Sequence, residues 1–245
     1  MKLLSLNIWG GRIHKPLLEF LEKHSEIDIF CFQEVYQNAK GKEVIYTDAM
    51  LDIYEEIEKA LSDYQGYYRP HLQDYYGLAI FVKKTISVIE EGEHFVHRQK
   101  GYVPTDHVGF HAKNVQYLKI PLSQKMVTFF NFHGLWNGKG KTDTEDRLNQ
   151  SKRIKEFMNS IEGEKIMCGD FNLNPDTESL KILEGGMVNL IKTHDITSTR
   201  TERYTKPEKF ADYMLISLGI KEIAFEVLSD VVSDHTPMFL EFEIN

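Results

Sequence analysis

Three scarcities narrow the class of this chain. Only two of its 245 residues are cysteine, too few for a disulfide framework. Cys31 and Cys168 each lie in an apolar run just before a polar cluster, and they read as buried free thiols of a reducing compartment. Long apolar runs are missing too: nothing approaches the ~20 consecutive apolar residues that a membrane helix requires. The stretch "MKLLSLNIWGG" is too short for the apolar region of a secretory signal, is broken by Asn7 and Gly10, and no small-residue cleavage site follows it. Positive charge is in deficit as well. Twenty-nine Lys and Arg against 37 Asp and Glu leave a formal charge of −8. That argues against a broad basic face for non-specific nucleic-acid binding, though a metal ion can carry positive charge into a phosphate site. The expectation is a soluble, cytoplasmic, monomeric protein without stable membrane insertion.

What is present points to one large core. No Pro/Gly/Ser-rich linker, internal repeat or low-complexity tract divides the sequence, so residues 1–245 are expected to form a single domain. Hydrophobic content of 42% is that of a globular chain. "KLLSLNI" reads as a strand and 15–24 as a short helix with apolar residues at helical spacing. "DIFCFQEV" (28–35) reads as a buried strand, and 47–61 as a helix with Thr47 as N-cap. Strands are expected at 64–71, 77–84, 86–98, 108–121 and 125–133. Residues 142–161 follow as a helix, acidic at its start and basic further along, as the helix dipole favours. "KIMCGDF" reads as a strand, 176–184 as a short helix and 186–209 as a loop-rich passage. Strands at 211–217, 220–228 and 237–244 close the chain. Many strands in direct succession, with little polar alternation, imply two stacked sheets covered on both outer faces. The expected class is α/β, a four-layer α/β/β/α sandwich of mixed, largely antiparallel sheets.

Polar residues interrupt the apolar strands at their ends. Asn7 ends the first strand, Gln33-Glu34 the second, Asn131 and His133 end "TFFNFH", and Asp170 and Asn172 end "IMCGDFN". Asp212 begins "ADYMLIS", and Asp234-His235 precede the last strand. An unpartnered polar group at such a place costs roughly 1–3 kcal/mol, so the set is expected to converge on itself, a metal or a substrate. Carboxylates and amides without thiolate favour Mg²⁺ or Mn²⁺ over zinc. Two histidines with no neighbouring Ser or Cys nucleophile argue against a covalent triad. Metal, carboxylate and imidazole together suit hydrolysis at phosphorus.

These residues resemble the endonuclease/exonuclease/phosphatase superfamily, whose best-known fold is that of deoxyribonuclease I. An Asn on the first strand, a "QE" ending the second, "GDFN" and a terminal "SDH" appear in the family's order as Asn7, Gln33-Glu34, Gly169-Asp170-Phe171-Asn172 and Ser233-Asp234-His235. The resemblance implies a Mg²⁺-dependent phosphoesterase, a phosphodiesterase or nuclease, in which Mn²⁺ can substitute. It implies Glu34, Asn7 and Asp234 at the metal and Asp170 on the attacking water. Asn172 would hold a phosphate oxygen, and His235 would face the phosphate, steadied by Asp212. His133 would bind phosphate or protonate the leaving group. Whether Asp170 or His235 is the base stays open. The partner implied is a phosphate ester, a nucleic acid or a small phosphorylated molecule. The competing reading is an inactive member that binds a phosphorylated ligand or a protein; retention of Glu34, Asp170 and His235 speaks against it.

Lesser candidates complete the reading. Asn137 in "HGLWNGKG" resembles a substrate-binding Asn of relatives. Trp9 and Trp136 sit beside motifs as walls of a site or as core. Arg98, Lys100, Lys113, Lys139 and Lys141 are read as solvated charge in preference to a substrate rim. His94, His97, His107 and His111 are read as packing or surface residues in preference to zinc ligands. Arg147 and Gln150, on the 142–161 helix, are read as structural. The 186–209 passage is expected to contribute specificity.

Overall fold

The computed structural model describes residues 1–105 and 107–245. Its strands are β1 (Lys2–Asn7), β2 (Ile29–Tyr36), β3 (Tyr64–Leu72), β4 (Tyr76–Lys83), β5 (Glu90–His97) and β6 (Lys113–Leu122). They continue with β7 (Lys125–His133), β8 (Glu164–Asp170), β9 (Met187–Asn189), β10 (Asp212–Ser217), β11 (Ile220–Val227) and β12 (Met238–Ile244). The helices are α1 (His14–Lys23), α2 (Ile53–Ala60), α3 (Glu145–Asn159), α4 (Glu178–Glu184) and α5 (Leu190–Thr193).

Two six-stranded sheets run in the orders β11-β12-β1-β2-β4-β3 and β5-β6-β7-β8-β10-β9. Each has one parallel pair at its centre, β1/β2 in the first and β7/β8 in the second, among antiparallel neighbours. Strand parity shows why polar alternation is so weak in the sequence. In the first sheet Leu3, Ile29, Cys31, Ile80 and Val82 belong to the cluster shared with the second sheet. Their alternates Leu4, Phe30, Phe32, Ala79 and Phe81 belong to a cluster with Leu17 and Phe20 of α1 and Ile53 and Ile57 of α2. Both faces of the sheet are thus covered, and both faces must be apolar. On the far side, Ile154 and Met158 of α3 and Leu180 and Leu183 of α4 pack on the second sheet. The architecture is the expected α/β/β/α sandwich. Cys31 and Cys168 are both free and buried.

Two amide side chains link the sheets at their interface. Gln33 Nε2 donates to Asn131 Oδ1 across the two sheets (2.7 Å). Asn131 Nδ2 faces three acceptors, Phe32 O (3.0 Å), Ala79 O (3.2 Å) and Gln116 Oε1 (3.2 Å). These two members of the strand-end set therefore close a buried latch between the sheets.

Several boundaries differ from the sequence expectation. The helix expected from Thr47 starts only at Ile53, and Thr47 caps nothing: Ile45 N donates to Tyr36 Oη (2.9 Å) and Met50 N to Gly10 O (2.9 Å). Those amides are used in wrapping the segment around the end of β2. The strand expected over 108–121 begins at Lys113, because Val108–Phe110 forms a 3₁₀ turn capped by the His107 side chain. The 186–209 passage carries β9 and α5. The charge pattern of α3 is as expected, with Glu145 and Asp146 in the first turn and Lys152, Arg153 and Lys155 further along.

Candidate active site

Strand register assembles most of the site. Across β7, β8 and β10, His133 is the register partner of Asp170, and Asp170 that of Asp212. Three polar strand ends therefore form one row across neighbouring strands. In the first sheet Asn7 is the register partner of Gln33, and the β2/β4 ladder shifts register between Phe32 and Val35. Glu34 lies at that irregularity with a left-handed φ of 62°, an uncommon conformation for a residue with a side chain. The bulge turns its carboxylate toward the second sheet.

The glycine of "GDFN" has a steric reason. Gly169 has φ +134°, and a Cβ there would lie 2.0 Å from Phe132 O. Gly134 is equally constrained, with a Cβ position 2.0 Å from Phe171 O. Only glycine lets these backbones approach so closely. The result is a tight turn in which Gly134 N donates to Asp170 O (2.7 Å) and Asn172 N to Asp170 Oδ1 (2.8 Å).

Asn7 Nδ2 lies between two carboxylates, 3.1 Å from Glu34 Oε1 and 3.1 Å from Asp170 Oδ2. Its Oδ1 accepts from Trp9 N (2.9 Å). His133 Nε2 is 3.7 Å from Glu34 Oε1 and 3.9 Å from Asp170 Oδ2. His235 Nδ1 bonds Asp212 Oδ1 (2.8 Å), and Asp212 Oδ2 accepts from Thr199 Oγ1 (2.9 Å). His235 Nε2 is 3.5 Å from Asp170 Oδ2. One ligand atom from each of Glu34, His133 and Asp170 lies within 4.8 Å of the others, and the same holds for Asp170, Asp212 and His235.

Burial and neighbours divide these groups electrostatically. Glu34 is pushed up to about 7, first by burial and then by the charges of Asp234 and Asp170, against the Asn7 hydrogen bond. Burial would also raise Asp170, but His235, Lys141 and Arg200 together hold it below the usual carboxylate range. His133 lies well below the ordinary imidazole value through burial and the cations Lys113 and His235 around it. His235 is raised: burial and Arg200 oppose its charge, and Asp212, Asp234 and Asp170 prevail.

A cavity of about 390 Å³ opens over the cluster and is lined by Glu34, His133, Asp170, Asn172, Asp234 and His235. Asn7 and Asp212 stand behind it, holding the carboxylates and the His235 ring respectively. Asn137 does not line it: its Nδ2 donates to Thr144 Oγ1 (3.1 Å) and its Oδ1 accepts from Lys139 N (3.2 Å), which makes it part of the turn before α3. Trp9 and Trp136 are both wall residues.

Lys113 and Lys141 correct the solvated-charge reading. Both are buried, 1% and 5% exposed, and both line the cavity. The topology folds the start of β6 and the 139–141 turn inward, which residue spacing does not reveal. Lys139 stays exposed, while Arg98 and Lys100 line a separate cavity between β5 and α3. Arg147 is structural as expected, its buried guanidinium donating to Leu135 O, Thr142 O and Gly140 O. So is Gln150, whose Oε1 accepts from Leu135 N. His94 stacks on Phe157. Among the described residues neither it nor His97, His107 or His111 belongs to a metal-sized cluster.

Arg200 was not anticipated. Its Nη1 lies 3.3 Å from Asp234 Oδ2 and touches His235 Nε2, while its guanidinium stacks 4.0 Å from the Tyr204 ring. The signal available was the density of basic residues in "TRTERYTKPEK", yet a loop has no periodicity to say which of them turns inward. His71 is a second such case. Its ring stacks on His111 beside His133, and burial and Lys113 keep it neutral.

The family model described as endonuclease/exonuclease/phosphatase family matches residues 4–235. The chain belongs to the endonuclease/exonuclease/phosphatase family. No curated protein matches it significantly in sequence. Among solved structures, a mannosyl-6-phosphatase of Bacteroides thetaiotaomicron is similar over 100% of both chains, at 17% identity and a TM-score of 0.76. A functionally unknown conserved protein of Enterococcus faecalis is similar over 100% of both chains at 16% identity and a TM-score of 0.77. D. rerio TDP2, complexed with a single-strand DNA product, is similar over 99% of this chain and 98% of its own, at 15% identity and a TM-score of 0.73. Likeness at these identities shows the fold. Family membership and the two buried clusters equip the chain as a metal-dependent hydrolase acting on phosphate esters. None of the described helices is long and apolar enough to cross a membrane.

Proposed function

We propose that the chain is a Mg²⁺-dependent phosphoesterase in which Asp170 serves the attacking water and His235 the phosphate. The convergence of Glu34, His133 and Asp170 with Asp170, Asp212 and His235, two buried clusters sharing one carboxylate, carries this reading. The donor set fits a hard divalent cation. Glu34 Oε2 is buried without a hydrogen-bond partner, so one carboxylate oxygen is left for an ion, and no thiolate competes. Glu34 would hold Mg²⁺, with Mn²⁺ able to replace it, and Asp234 and neutral His133 stand close by. The bound ion polarises a phosphoryl oxygen and stabilises charge built up at phosphorus.

The remaining roles follow from protonation. Asp170, held ionised, accepts a hydrogen bond and then a proton from water as the water oxygen bonds to phosphorus. The P–O bond to the leaving group breaks opposite, and the leaving oxygen takes its proton from solvent water. His235, charged and oriented by Asp212, donates to a phosphoryl oxygen, so the base is Asp170. Asn172, beside Asp170 in the cavity wall, holds another phosphate oxygen. Asn7 and Asp212 are positioning residues. The reading extends to a monomer of the cytoplasm, supported by the reduced buried thiols.

The test is hydrolysis of bis(p-nitrophenyl) phosphate with Mg²⁺, with Mn²⁺ and with EDTA, wild type beside Asp170→Asn and His235→Ala. Metal-dependent turnover lost in both variants is expected. Turnover that survives EDTA, or survives either substitution, overturns the proposal.

A further inference from the structure

The cavity holds more positive charge than a metal–carboxylate centre explains. With the charged His235 ring balanced by Asp212 behind the cavity, its remaining side-chain cations are Lys113, Lys141, Arg200, Arg203 and Lys206, against the carboxylates Glu34, Asp170 and Asp234. The surplus is two charges in a chain whose formal charge is −8, and a divalent ion would raise it to four. Three of the cations are buried: Lys113 and Lys141 as described, and Arg200 with a side chain 7% exposed. A buried cation is costly unless it is paired. Arg200 has Asp234, but among the described residues neither lysine has a carboxylate within ion-pair distance. Lys141 Nζ donates only to Phe210 O (2.9 Å). Arg200 and Lys141 are neighbours around one aromatic ring, the guanidinium 4.0 Å and the ammonium 5.5 Å from the Tyr204 centroid.

Unpaired buried cations facing a common space are completed by an anion. Its charge separates the substrate classes open to a phosphoesterase. The phosphate of a diester carries one negative charge, whereas a terminal monoester phosphate carries ~1.5 to 2 at neutral pH. The volume points the same way. About 390 Å³ falls in the range of small-molecule sites, and the aromatic rings of Trp9, Trp136 and Tyr204 wall it where the body of a small molecule would lie.

Resting on the phosphoesterase reading, we propose that Arg200, Lys141 and Lys113 are specificity-determining residues that select a dianionic terminal phosphate on a small phosphorylated molecule over the monoanionic phosphate of a diester. Arg200 and Lys141 grip it from the 198–209 side and Lys113 from the start of β6. A diester leaves part of that buried charge unanswered.

The experiment compares kcat/KM for p-nitrophenyl phosphate and bis(p-nitrophenyl) phosphate in wild type, Arg200→Gln and Lys141→Gln. The monoester-to-diester ratio is expected to fall about 100-fold in Arg200→Gln and about 10-fold in Lys141→Gln. The Lys141 variant disturbs neither Asp234 nor His235, so it keeps the test open if Arg200→Gln folds poorly. A second readout needs no metal. In EDTA, inorganic phosphate is expected to raise Tm of the wild type while dimethyl phosphate does not, and Lys141→Gln is expected to lose part of the shift. Equal losses on both esters, or equal protection by both anions, overturn the inference and leave the phosphoesterase reading standing. Absence of turnover on both esters overturns that reading, and anion protection then still decides the charge selection.

Discussion

Glu34 and Asp170 are hydrogen-bonded to the same nitrogen, Asn7 Nδ2, at the same distance of 3.1 Å, yet they stand on opposite sides of ordinary carboxylate acidity. Both are buried. The difference lies in which charges surround them: Glu34 faces Asp234 and Asp170, whereas Asp170 faces His235, Lys141 and Arg200. Their backbones differ too. Glu34 lies on a bulge with a left-handed φ, and Asp170 ends a regular parallel ladder. A carboxylate kept protonatable near neutrality waits for a stronger cation than a proton, and one kept ionised is ready to work on water. Pairs of like groups driven apart in this way mark a division of labour.

The largest separation is expected in kcat. Asp170→Asn should lower kcat on the order of 10³-fold at any Mg²⁺ concentration, because the base itself is gone. Glu34→Gln should be recovered in part by added metal, with the half-saturating Mg²⁺ concentration raised about 100-fold. Titrations of activity against Mg²⁺ distinguish the two, and metal rescue of Asp170→Asn would erase the comparison.

A smaller effect should appear in stability. Glu34 moves from an ordinary value of 4.5 to about 7 on folding, so its protonation stabilises the metal-free protein fully below pH ~4.5, and that contribution is lost as pH rises through about 7. The Tm difference between Mg²⁺ and EDTA should therefore widen from pH 5 to 8 in the wild type and stay flat in Glu34→Gln. A wild-type difference independent of pH would show that Glu34 does not exchange its proton for the ion. Smallest of all, Asn137→Ala should leave kcat/KM within about twofold, since its side chain serves a turn. A larger loss would add Asn137 to the site.

Much of this was legible in the residues because strand ends are legible. "KMVTFFNFH" over 125–133 coincides with β7, and the polar residues that stop such runs are the ones that meet in the cavity. What escaped was whatever depends on irregular backbone. Thr47 has the chemistry of a cap, but the amides near it were used by Tyr36 and Gly10. Lys113 and Lys141 read as solvent charge because no spacing rule reports that a strand start and a glycine-rich turn face inward. Gln33 and Asn131, expected with the rest of the polar set, close the interface between the sheets. Arg200 shows the limit most clearly: its neighbours Asp234 and His235 are more than thirty positions away in the chain, brought beside it by a single antiparallel bridge to His235.

The row His133–Asp170–Asp212 has a consequence for how such a protein can change. Its side chains are spaced by the ladder itself, at the ~4.8 Å that separates hydrogen-bonded strands, and not by any loop. The cations that read the substrate sit elsewhere, on the 198–209 segment and the strand and turn beside the row. Reaction and choice of substrate thus rest on different elements, joined where Thr199 Oγ1 donates to Asp212 Oδ2. Surroundings that keep the Thr199 contact can be exchanged without moving the row, so one catalytic ruler can serve many different readers.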